Sequence, residues 1–322
     1  MILVTGGAGY IGSHAVKALR KADFQPLIFD NFSTGHHLFV RGTPAFEGDV
    51  RNPEDLARVF AEYPIDGVLH FAGKALVGES VENPELYCEI NLKGGLNLLS
   101  AMQRCGVKYL IFSSTCATYG EPKQVPIPED HPQNPINPYG ESKLAFEKAL
   151  PSFHDAYGLD YISLRYFNAA GADAEGEFGE DHEPETHLIP LVLKAAAGIL
   201  PEVKIFGTDY PTPDGTCQRD YIHVTDLARA HVVGLQLLME QRVESQAINL
   251  GTGEGYSVRE VIETARRVTG KDFSVRETAR RPGDPPKLIA AVDRAKKVLG
   301  WATTESGLDN IVRTAWNWIR QS

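Results

Sequence analysis

Two side chains able to exchange protons, Tyr139 and Lys143, stand four residues apart in the segment YGESK. That spacing places them one turn apart on the same face of a helix. A phenol is a weak base near neutral pH, but a neighbouring positive charge favours its phenolate form. We therefore predict that Tyr139 acts as a general base with Lys143 beside it. Thr115, at the end of an apolar run, is predicted to share the proton.

A glycine-rich turn follows the first apolar run of the chain directly. The segment TGGAGYIG satisfies the pattern G-x-G-x-x-G through Gly7, Gly9 and Gly12. Glycine permits the tight turn and the close approach of a pyrophosphate, which the free N–H groups at the start of a helix bind. The next apolar run ends at Asp30, about where a ribose-binding carboxylate belongs. No Arg or Lys in residues 31–34 could receive a 2′-phosphate, so the pattern predicts NAD rather than NADP.

The elements that must position these residues alternate between two kinds in the first half of the chain. Four runs are apolar nearly throughout, as buried parallel strands are: residues 2–5, 26–30, 68–71 and 109–114. Segments with helical periodicity follow Gly12, Pro53 and Pro84, and another spans residues 139–157. This alternation predicts an α/β fold with a doubly wound, Rossmann-type parallel sheet.

The composition of the chain changes from about Gly171. Residues 171–186 are acidic and glycine-rich, and residues 207–215 carry two prolines, so both predict long loops. We predict that residues 1–170 form an NAD-binding domain to which a segment at about 216–250 returns. Residues 171–322 are predicted to form mainly a smaller, mixed α/β substrate domain.

Charge and cysteine content limit the partners of this protein. The 322-residue chain has a net charge of −10, which opposes non-specific attraction to nucleic acid and to anionic lipid. Its longest apolar stretch, at 188–200, is too short to span a bilayer. The four cysteines have no C-x-x-C spacing and no metal-ligand spacing with the ten histidines. We therefore predict buried reduced thiols, no metal site and a cytoplasmic location.

The motifs together resemble the extended short-chain dehydrogenase/reductase family and, within it, the UDP-glucose 4-epimerases. The resemblance runs nearly end to end, through TGGAGYIGSH, HFAG, VGES, FSSTCATYG, NPYGESK, LRYFNAAG, HLIP, DGTCQRDYIHVTDLA, NLGTG, RRPGD and LGW. It implies interconversion of UDP-glucose and UDP-galactose by reversible hydride transfer at sugar C4, through a 4-keto intermediate on tightly bound NAD. It also implies a homodimer, with helices at about 84–104 and 139–157 as the predicted seam.

The resemblance assigns site residues along the whole chain. It implies cofactor contacts from Gly6, Gly9, Tyr10, Ile11, Gly12, Asp30, Asn31, Asp49, Val50, Phe71, Ala72, Tyr139, Lys143 and Phe167. It implies substrate contacts from Thr115, Tyr139, Asn168, His187, Leu188, Lys204, Ile205, Phe206, Arg219, Arg281 and Asp284. In this assignment the two arginines bind the diphosphate, as planar guanidinium groups do.

Other functions remain open at this point. Leu288 stands where strictly glucose- and galactose-specific members have a bulky Tyr, so a 4-epimerase of UDP-N-acetylglucosamine or another UDP-sugar is an alternative. Related dehydratases and decarboxylases carry a Glu directly after the strand-end Thr, whereas Cys116 follows Thr115 here. A non-catalytic NAD-binding sensor is a further alternative, but it need not keep Tyr139 and Lys143.

Overall fold

The computed structural model describes residues 1–281 and 283–321, in which the predicted apolar runs form one parallel sheet. The strands are β1 (Ile2–Thr5), β2 (Pro26–Asp30), β3 (Ala45–Glu47), β4 (Gly67–His70), β5 (Tyr109–Thr115), β6 (Asp160–Tyr166), β7 (Asn168–Ala170), β8 (Val203–Phe206), β9 (Gln218–Arg219), β10 (Tyr221–His223), β11 (Gln246–Leu250), β12 (Tyr256–Ser257), β13 (Val275–Thr278) and β14 (Lys287–Leu288). Pro282, in the RRPGD motif, lies outside the described residues.

Helices connect and cover these strands. They are α1 (Tyr10–Lys21), α2 (Pro53–Glu62), α3 (Val77–Glu82), α4 (Pro84–Tyr87), α5 (Gly95–Cys105), α6 (Pro138–Tyr157), α7 (Leu188–Ala196), α8 (Val224–Met239), α9 (Val258–Thr269), α10 (Asp293–Leu299) and α11 (Leu308–Ile319). Single 3₁₀ turns occur at His37–Val40 and Cys116–Tyr119, and a π-helical segment, Cys88–Gly94, joins α4 to α5.

The strand order of the main sheet is β11-β6-β5-β4-β1-β2-β3, and all its strand pairs are parallel. Because β1 pairs with β2 on one side and with β4 on the other, the order reverses at β1. Ligands of open α/β sheets bind in the crevice at the carboxyl ends of the strands beside such a reversal. Gly6 follows β1 and Phe71 follows β4 at that edge. The predicted doubly wound α/β fold is confirmed.

The sheet is buried on both faces, as its apolar strands predict. Ile2 and Val4 of β1 belong to a core cluster with α1 and α8, whereas Leu3 belongs to the cluster with α2 and α5. A third cluster packs α7, α9 and α11 beside the two-stranded sheet of β8 and β13. The capping box at Ser257 is present, because Ser257 and Glu260 each accept a hydrogen bond from the other's backbone N–H.

Two expectations are wrong in detail. The region 84–104 is helical but not a uniform α-helix, since its middle winds as the π-helical segment. The four cysteines are unpaired, yet only Cys116 and Cys217 are buried, whereas Cys88 and Cys105 are exposed on the surface.

Across the described residues, none of the helices combines the length and the apolar character needed to cross a bilayer. The division into domains stays a prediction.

Candidate active site

The turn after β1 can be built only from glycine at its two closest approaches. Gly6 has φ +72°, and a Cβ atom on it would lie 2.6 Å from the backbone nitrogen of Ala72. A Cβ atom on Gly12 would lie 2.1 Å from the carbonyl oxygen of Gly6. The turn therefore lies directly against the end of β4. Gly9 is the N-cap of α1, so the backbone N–H groups of Tyr10 and Ile11 in the first turn of this helix are free to bind a ligand in the crevice.

Asp30 closes the second side of this crevice from the end of β2. Its side chain is buried, and its two carboxylate oxygens accept hydrogen bonds from the backbone N–H groups of Ala8 and Phe32, each at 2.9 Å. Burial raises the pKa of Asp30, while these two N–H groups oppose the rise. A Cβ atom on Gly35 would lie 2.9 Å from the carboxylate, so this glycine keeps one approach to it open.

The residues predicted at the adenine lie beside Asp30. The amide of Asn31 donates to Asp49 at 2.8 Å, and Arg51 forms an ion pair with Asp49 at 2.6 Å. Hydrogen bonds from Arg51 lower the pKa of Asp49 to about 2, although partial burial opposes the change. Val50 is buried and packs against the π-helical segment. The contact is close, since a Cβ atom built on Gly94 would lie 2.7 Å from the side chain of Val50.

Aromatic and small residues form the floor of the crevice. The backbone N–H groups of Phe71 and Ala72 both donate to the carbonyl of Thr5, at 2.9 and 3.0 Å. The half-buried ring of Phe71 packs on His231, with 4.7 Å between the ring centroids. Phe167 is buried in a small cluster with Cys116, next to Thr115. The phenol of Tyr10, in contrast, points to the carbonyl of Gly171 at 2.6 Å, so only the backbone of Tyr10 is free for a ligand.

Lys143 reaches the same edge of the sheet from α6. Its ammonium donates to the carbonyl of Ser113 at 3.1 Å, and a Cβ atom on Gly73 would lie 3.3 Å from its nitrogen. Burial lowers the pKa of Lys143 to about 8, while the carboxylate of Glu147 opposes the change. An ammonium has three N–H donors, and the Ser113 carbonyl is the one acceptor it bonds among the described residues, so two donors remain for a ligand.

The hydroxyl groups of Tyr139 and Thr115 lie within hydrogen-bonding reach of each other, at the edge of the sheet that Lys143 also reaches. Burial raises the pKa of Tyr139, the neighbouring Tyr166 raises it further, and the Thr115 hydroxyl opposes the rise. Thr115 ends β5 and caps the following 3₁₀ turn, where its hydroxyl accepts from the N–H of Ala117 at 3.1 Å. The residues of the chain alone therefore keep Tyr139 protonated, and an added positive charge is needed for the phenolate.

Two buried residues behind the site were not anticipated from the sequence. Glu147 forms an ion pair with Arg165 at 2.6 Å and accepts a hydrogen bond from Ser114. Asn91, in the π-helical segment, accepts from the N–H of Lys74 at 2.8 Å and donates to Ser142 at 2.9 Å. Glu147 stands four residues after Lys143, so the two lie on the same face of α6. This spacing of opposite charges is the sequence feature that could have indicated a role for Glu147.

Several of the predicted substrate contacts lie on β8 and β9 and in the segment that leads to β14. Arg219 forms an ion pair with Asp284 and donates to the carbonyl of Pro285 at 2.9 Å. Leu288 pairs in register with Arg219, and its side chain packs against the cluster that contains Phe167. The structure thus brings Leu288 and Arg219 next to the buried wall beside Thr115.

The predicted uracil-bordering residues lie along β8. The guanidinium of Arg281 lies 3.8 Å from the ring centroid of half-buried Phe206. Lys204 is exposed, whereas the side chain of Ile205 is buried in the third core cluster, so only the backbone of Ile205 can face a ligand.

Three other predicted substrate contacts lie at the ends of β7 and α7. Asn168 begins β7 and donates its N–H to the carbonyl of Asp220 at 2.9 Å. His187 caps α7 and Leu188 is its first residue. The ring of His187 lies 2.8 Å from Glu180 and 3.0 Å from Glu185; burial lowers its pKa, but these carboxylates prevail and raise it to about 10. His187 is therefore tied to its own loop.

This arrangement fits a dinucleotide. The first-turn N–H groups of α1 suit a pyrophosphate, and the buried carboxylate of Asp30 retains lone pairs for ribose hydroxyls. The free donors of Lys143 lie beside residue 73, close to where Ala72 meets the glycine turn. The crevice thus holds groups suited to a dinucleotide, together with the phenol of Tyr139 and the hydroxyl of Thr115.

Comparisons with known proteins agree with this geometry. Residues 2–251 match the NAD dependent epimerase/dehydratase family. A UDP-glucose 4-epimerase from Rhizobium leguminosarum bv. trifolii is 50% identical over 322 residues, covering 100% of this chain and 98% of the relative. The crystal structure of UDP-glucose 4-epimerase from Brucella ovis in complex with NAD has a TM-score of 0.96 at 50% identity, covering 98% of this chain and 97% of that one. The enzyme from Bifidobacterium longum in complex with NAD+ and UDP has a TM-score of 0.93 at 40% identity, covering 100% of this chain and 98% of that one.

The fold and the site together define a dinucleotide-binding enzyme with a Rossmann-type sheet. The family match and the identity over the full chain then settle its membership. This chain belongs to the NAD dependent epimerase/dehydratase family. The resemblance inferred from its motifs is confirmed.

Proposed function

We propose that this protein interconverts UDP-glucose and UDP-galactose by epimerisation at sugar C4, with NAD as its cofactor. The observation that carries the proposal is the meeting of three features at one edge of the sheet. These are the glycine turn against Ala72, the buried Asp30, and Lys143 with Tyr139 and Thr115 beside it. The relatives named above carry the name UDP-glucose 4-epimerase.

In this proposal residues 1–170, with the segment at about 216–250, bind the cofactor. The N–H groups of Tyr10 and Ile11 hold the pyrophosphate, Asp30 and Asn31 the adenosine ribose, and Lys143 the nicotinamide ribose. Asp49 and Val50 flank the adenine, while Phe71, Ala72 and Phe167 lie along the cofactor. Bound NAD would supply a reversible hydride acceptor for sugar C4 and a positively charged nicotinamide ring.

Tyr139 has the role of general base and acid. That positive ring and the Lys143 ammonium both favour the phenolate, against the burial that raises the pKa of Tyr139. The phenolate takes the proton of the sugar 4-hydroxyl as C4 becomes a ketone, and it returns the proton to the same oxygen after the sugar has turned over. Thr115 shares this proton through its hydroxyl.

Residues 171–322 mainly anchor the nucleotide so that the hexose can turn. Arg219, Arg281 and Asp284 contact the diphosphate and the uridine ribose, and the β8 strand borders the uracil. Asn168 and Leu188 contact the nucleotide sugar. His187 does so through its backbone, because its ring is held by Glu180 and Glu185. Strong contacts at the UDP end and few at the hexose suit a reaction in which either face of the ketone must meet the cofactor.

The finer assignments of partner and place also belong to this proposal. We infer a homodimer through the helical faces at about 84–104 and 139–157, which light scattering on the purified protein tests directly. A cytoplasmic location is inferred from the cysteine pattern and is tested by fractionation of the source cells.

One assay tests the reaction. The purified protein is incubated with UDP-galactose and no added NAD, and the products are followed by chromatography together with the absorbance of NADH. We expect UDP-glucose to form until equilibrium without accumulation of NADH. A protein that carries NAD but leaves UDP-galactose unchanged is a sensor, and loss of water or carbon dioxide from the sugar identifies the other enzyme classes.

A further inference from the structure

Four side chains of the loop before α7 converge on one point beside the proposed substrate contacts, and the ring of His187 belongs to this cluster. They are Glu180, His182, Glu185 and His187, and one nitrogen or oxygen of each lies within 4.8 Å of the others. The sequence Glu-x-His-x-x-Glu-x-His turns its two histidines and two glutamates toward one another. The spacing of histidines and cysteines, which predicts no metal site, does not indicate this cluster, because its other two members are glutamates.

The distances in this cluster are close to those of a ligand sphere. Nδ1 of His187 lies 2.8 Å from Oε1 of Glu180 and 3.0 Å from Oε1 of Glu185. Nδ1 of His182 lies 3.4 Å from Oε1 of Glu180. Both carboxylates are withdrawn from solvent, with 7% of the Glu180 side chain and 4% of the Glu185 side chain exposed.

Two atoms that face the centre of the cluster lack a hydrogen-bond partner among the described residues. They are Nδ1 of His182 and Oε2 of Glu185, although Oε1 of Glu185 accepts from the N–H groups of Thr186 and His187. A buried polar atom without a partner costs about 1–3 kcal/mol, and more when it is charged. The two orphaned atoms are 4.0 Å apart, too far for a hydrogen bond. Tetrahedral zinc–ligand distances of roughly 2.0–2.2 Å place ligand atoms roughly 3.3–3.6 Å apart, so the two atoms need to approach each other by less than about 1 Å to bind one ion.

We propose that Glu180, His182, Glu185 and His187 bind one divalent transition-metal ion of the zinc class. Two imidazoles and two carboxylates are ligands that zinc accepts in tetrahedral geometry, and two carboxylate charges balance those of the ion. Magnesium and calcium prefer six or more oxygen ligands, which this set does not offer.

A second acidic cluster in the same loop already has a cationic partner within the chain. Asp173, Glu175 and Glu177 also converge, but the ammonium of Lys17 bonds to all three, at 2.9, 2.7 and 2.7 Å. None of its carboxylate oxygens is among the buried atoms that lack a partner in the described residues, so it provides an internal control for binding by acidity alone.

The position of the site defines its role. The His182 ring lies edge-on to that of Tyr10 in the first turn of α1, with 6.3 Å between centroids, and His187 is the N-cap of α7. An ion held here fixes the loop to the starts of two helices that border the crevice. The role is structural, and it does not depend on which sugar the enzyme takes.

Calorimetric titration of the full-length, chelator-treated protein with zinc chloride tests the proposal. We expect one zinc ion per chain, a raised melting temperature, and an affinity at least tenfold lower in His182→Asn and in Glu185→Gln. Glu175→Gln and His154→Asn are the matched controls, and they should bind zinc like the unsubstituted protein. Magnesium chloride is expected to give no saturable binding.

Anomalous diffraction at the zinc edge supplies a readout that does not depend on the folding of any variant. A peak among the four side chains supports the proposal. No bound zinc at a tenfold molar excess, a peak elsewhere, or equal losses in the cluster variants and the controls overturns it.

Discussion

Glu147 of α6 and Arg165 of β6 form an ion pair at 2.6 Å in which each side chain is less than one-tenth exposed. The pair lies next to the proposed proton-transfer residues, because Glu147 is one helical turn beyond Lys143 and also accepts from Ser114. Arg165 further donates to the hydroxyl of Tyr119 at 3.0 Å. The active site is therefore supported by buried charges rather than by apolar packing alone.

Glu147→Gln is expected to lower the free energy of unfolding by about 3–5 kcal/mol, since it leaves the Arg165 guanidinium buried without its counter-charge. Denaturant unfolding followed by circular dichroism measures the change. Glu141→Gln, an exposed carboxylate on the same helix, should change stability by less than about 0.5 kcal/mol. Equal effects of the two substitutions would show that the buried pair has no special role.

Tyr139→Phe is expected to lower turnover by about 10²–10⁴-fold, because the variant keeps the ring but loses the group that carries the proton. The affinity for UDP should stay within about twofold, as the nucleotide contacts lie on the other side of the crevice. Turnover of UDP-galactose and calorimetric binding of UDP measure the two effects. Full activity in this variant contradicts the assignment of Tyr139.

Lys143→Met is expected to stabilise the NAD-free chain at pH 7 by about 1–3 kcal/mol while it impairs catalysis. Burial lowers the pKa of Lys143 from 10.5 to about 8, so between these values the unfolded chain binds more protons than the folded one. The stability of the unsubstituted protein therefore rises with pH through this window, and the advantage of the variant fades by about pH 10.5.

Unfolding of the two proteins across pH 7–11 measures that difference. Lys148→Met, which removes an exposed ammonium from the same helix, should show no such dependence on pH. A constant difference between Lys143→Met and the unsubstituted protein would mean that the ammonium is not desolvated.

Asp30→Asn is expected to reduce the amount of NAD that copurifies with the protein. An amide has one acceptor oxygen, so one of the N–H groups of Ala8 and Phe32 would face an NH₂ group instead of an oxygen. Nucleotide released by heat and quantified by chromatography measures the loss, with Asp155→Asn on the surface of α6 as the control. If the unsubstituted protein carries NADP, the role given to Asp30 is wrong.

Leu288→Tyr is expected to reduce turnover of UDP-N-acetylglucosamine relative to UDP-glucose by tenfold or more. The larger ring would occupy the space beside Arg219 and Phe167 that a 2-acetamido group needs. Parallel kcat/KM measurements on both substrates, with Leu288→Ile as the volume-matched control, decide the point. An unchanged ratio places the sugar pocket elsewhere.

The sequence was most informative where one local rule decides the structure. Continuous apolar runs predict buried strands, and the predicted bounds of β1 and β2 are the observed ones. The spacing of Gly7, Gly9 and Gly12 predicts the turn that follows β1. β3 escaped prediction because only Phe46 of its three residues is buried. Contacts between distant segments, such as Glu147 with Arg165, depend on the tertiary fold and had only a weak local signal.

The exposure of surface residues and the path of irregular loops also depend on the tertiary fold and could not be predicted from the sequence. The exposure of Cys88 follows from how its helix packs, which a single sequence does not reveal. The convergence of His182 with Glu185 depends on the path of an irregular loop. Alternation of polar and apolar residues gives no periodic signal for such a path.

The parallel pairing of β11 with β6 has a consequence for biosynthesis. During translation the first six strands leave the ribosome long before residues 246–250, and until then one side of β6 displays unpaired N–H and C=O groups. A nascent chain that stalls in this interval carries an open, aggregation-prone edge. The last strand of the main sheet therefore makes completion of that sheet depend on synthesis of more than three-quarters of the polypeptide.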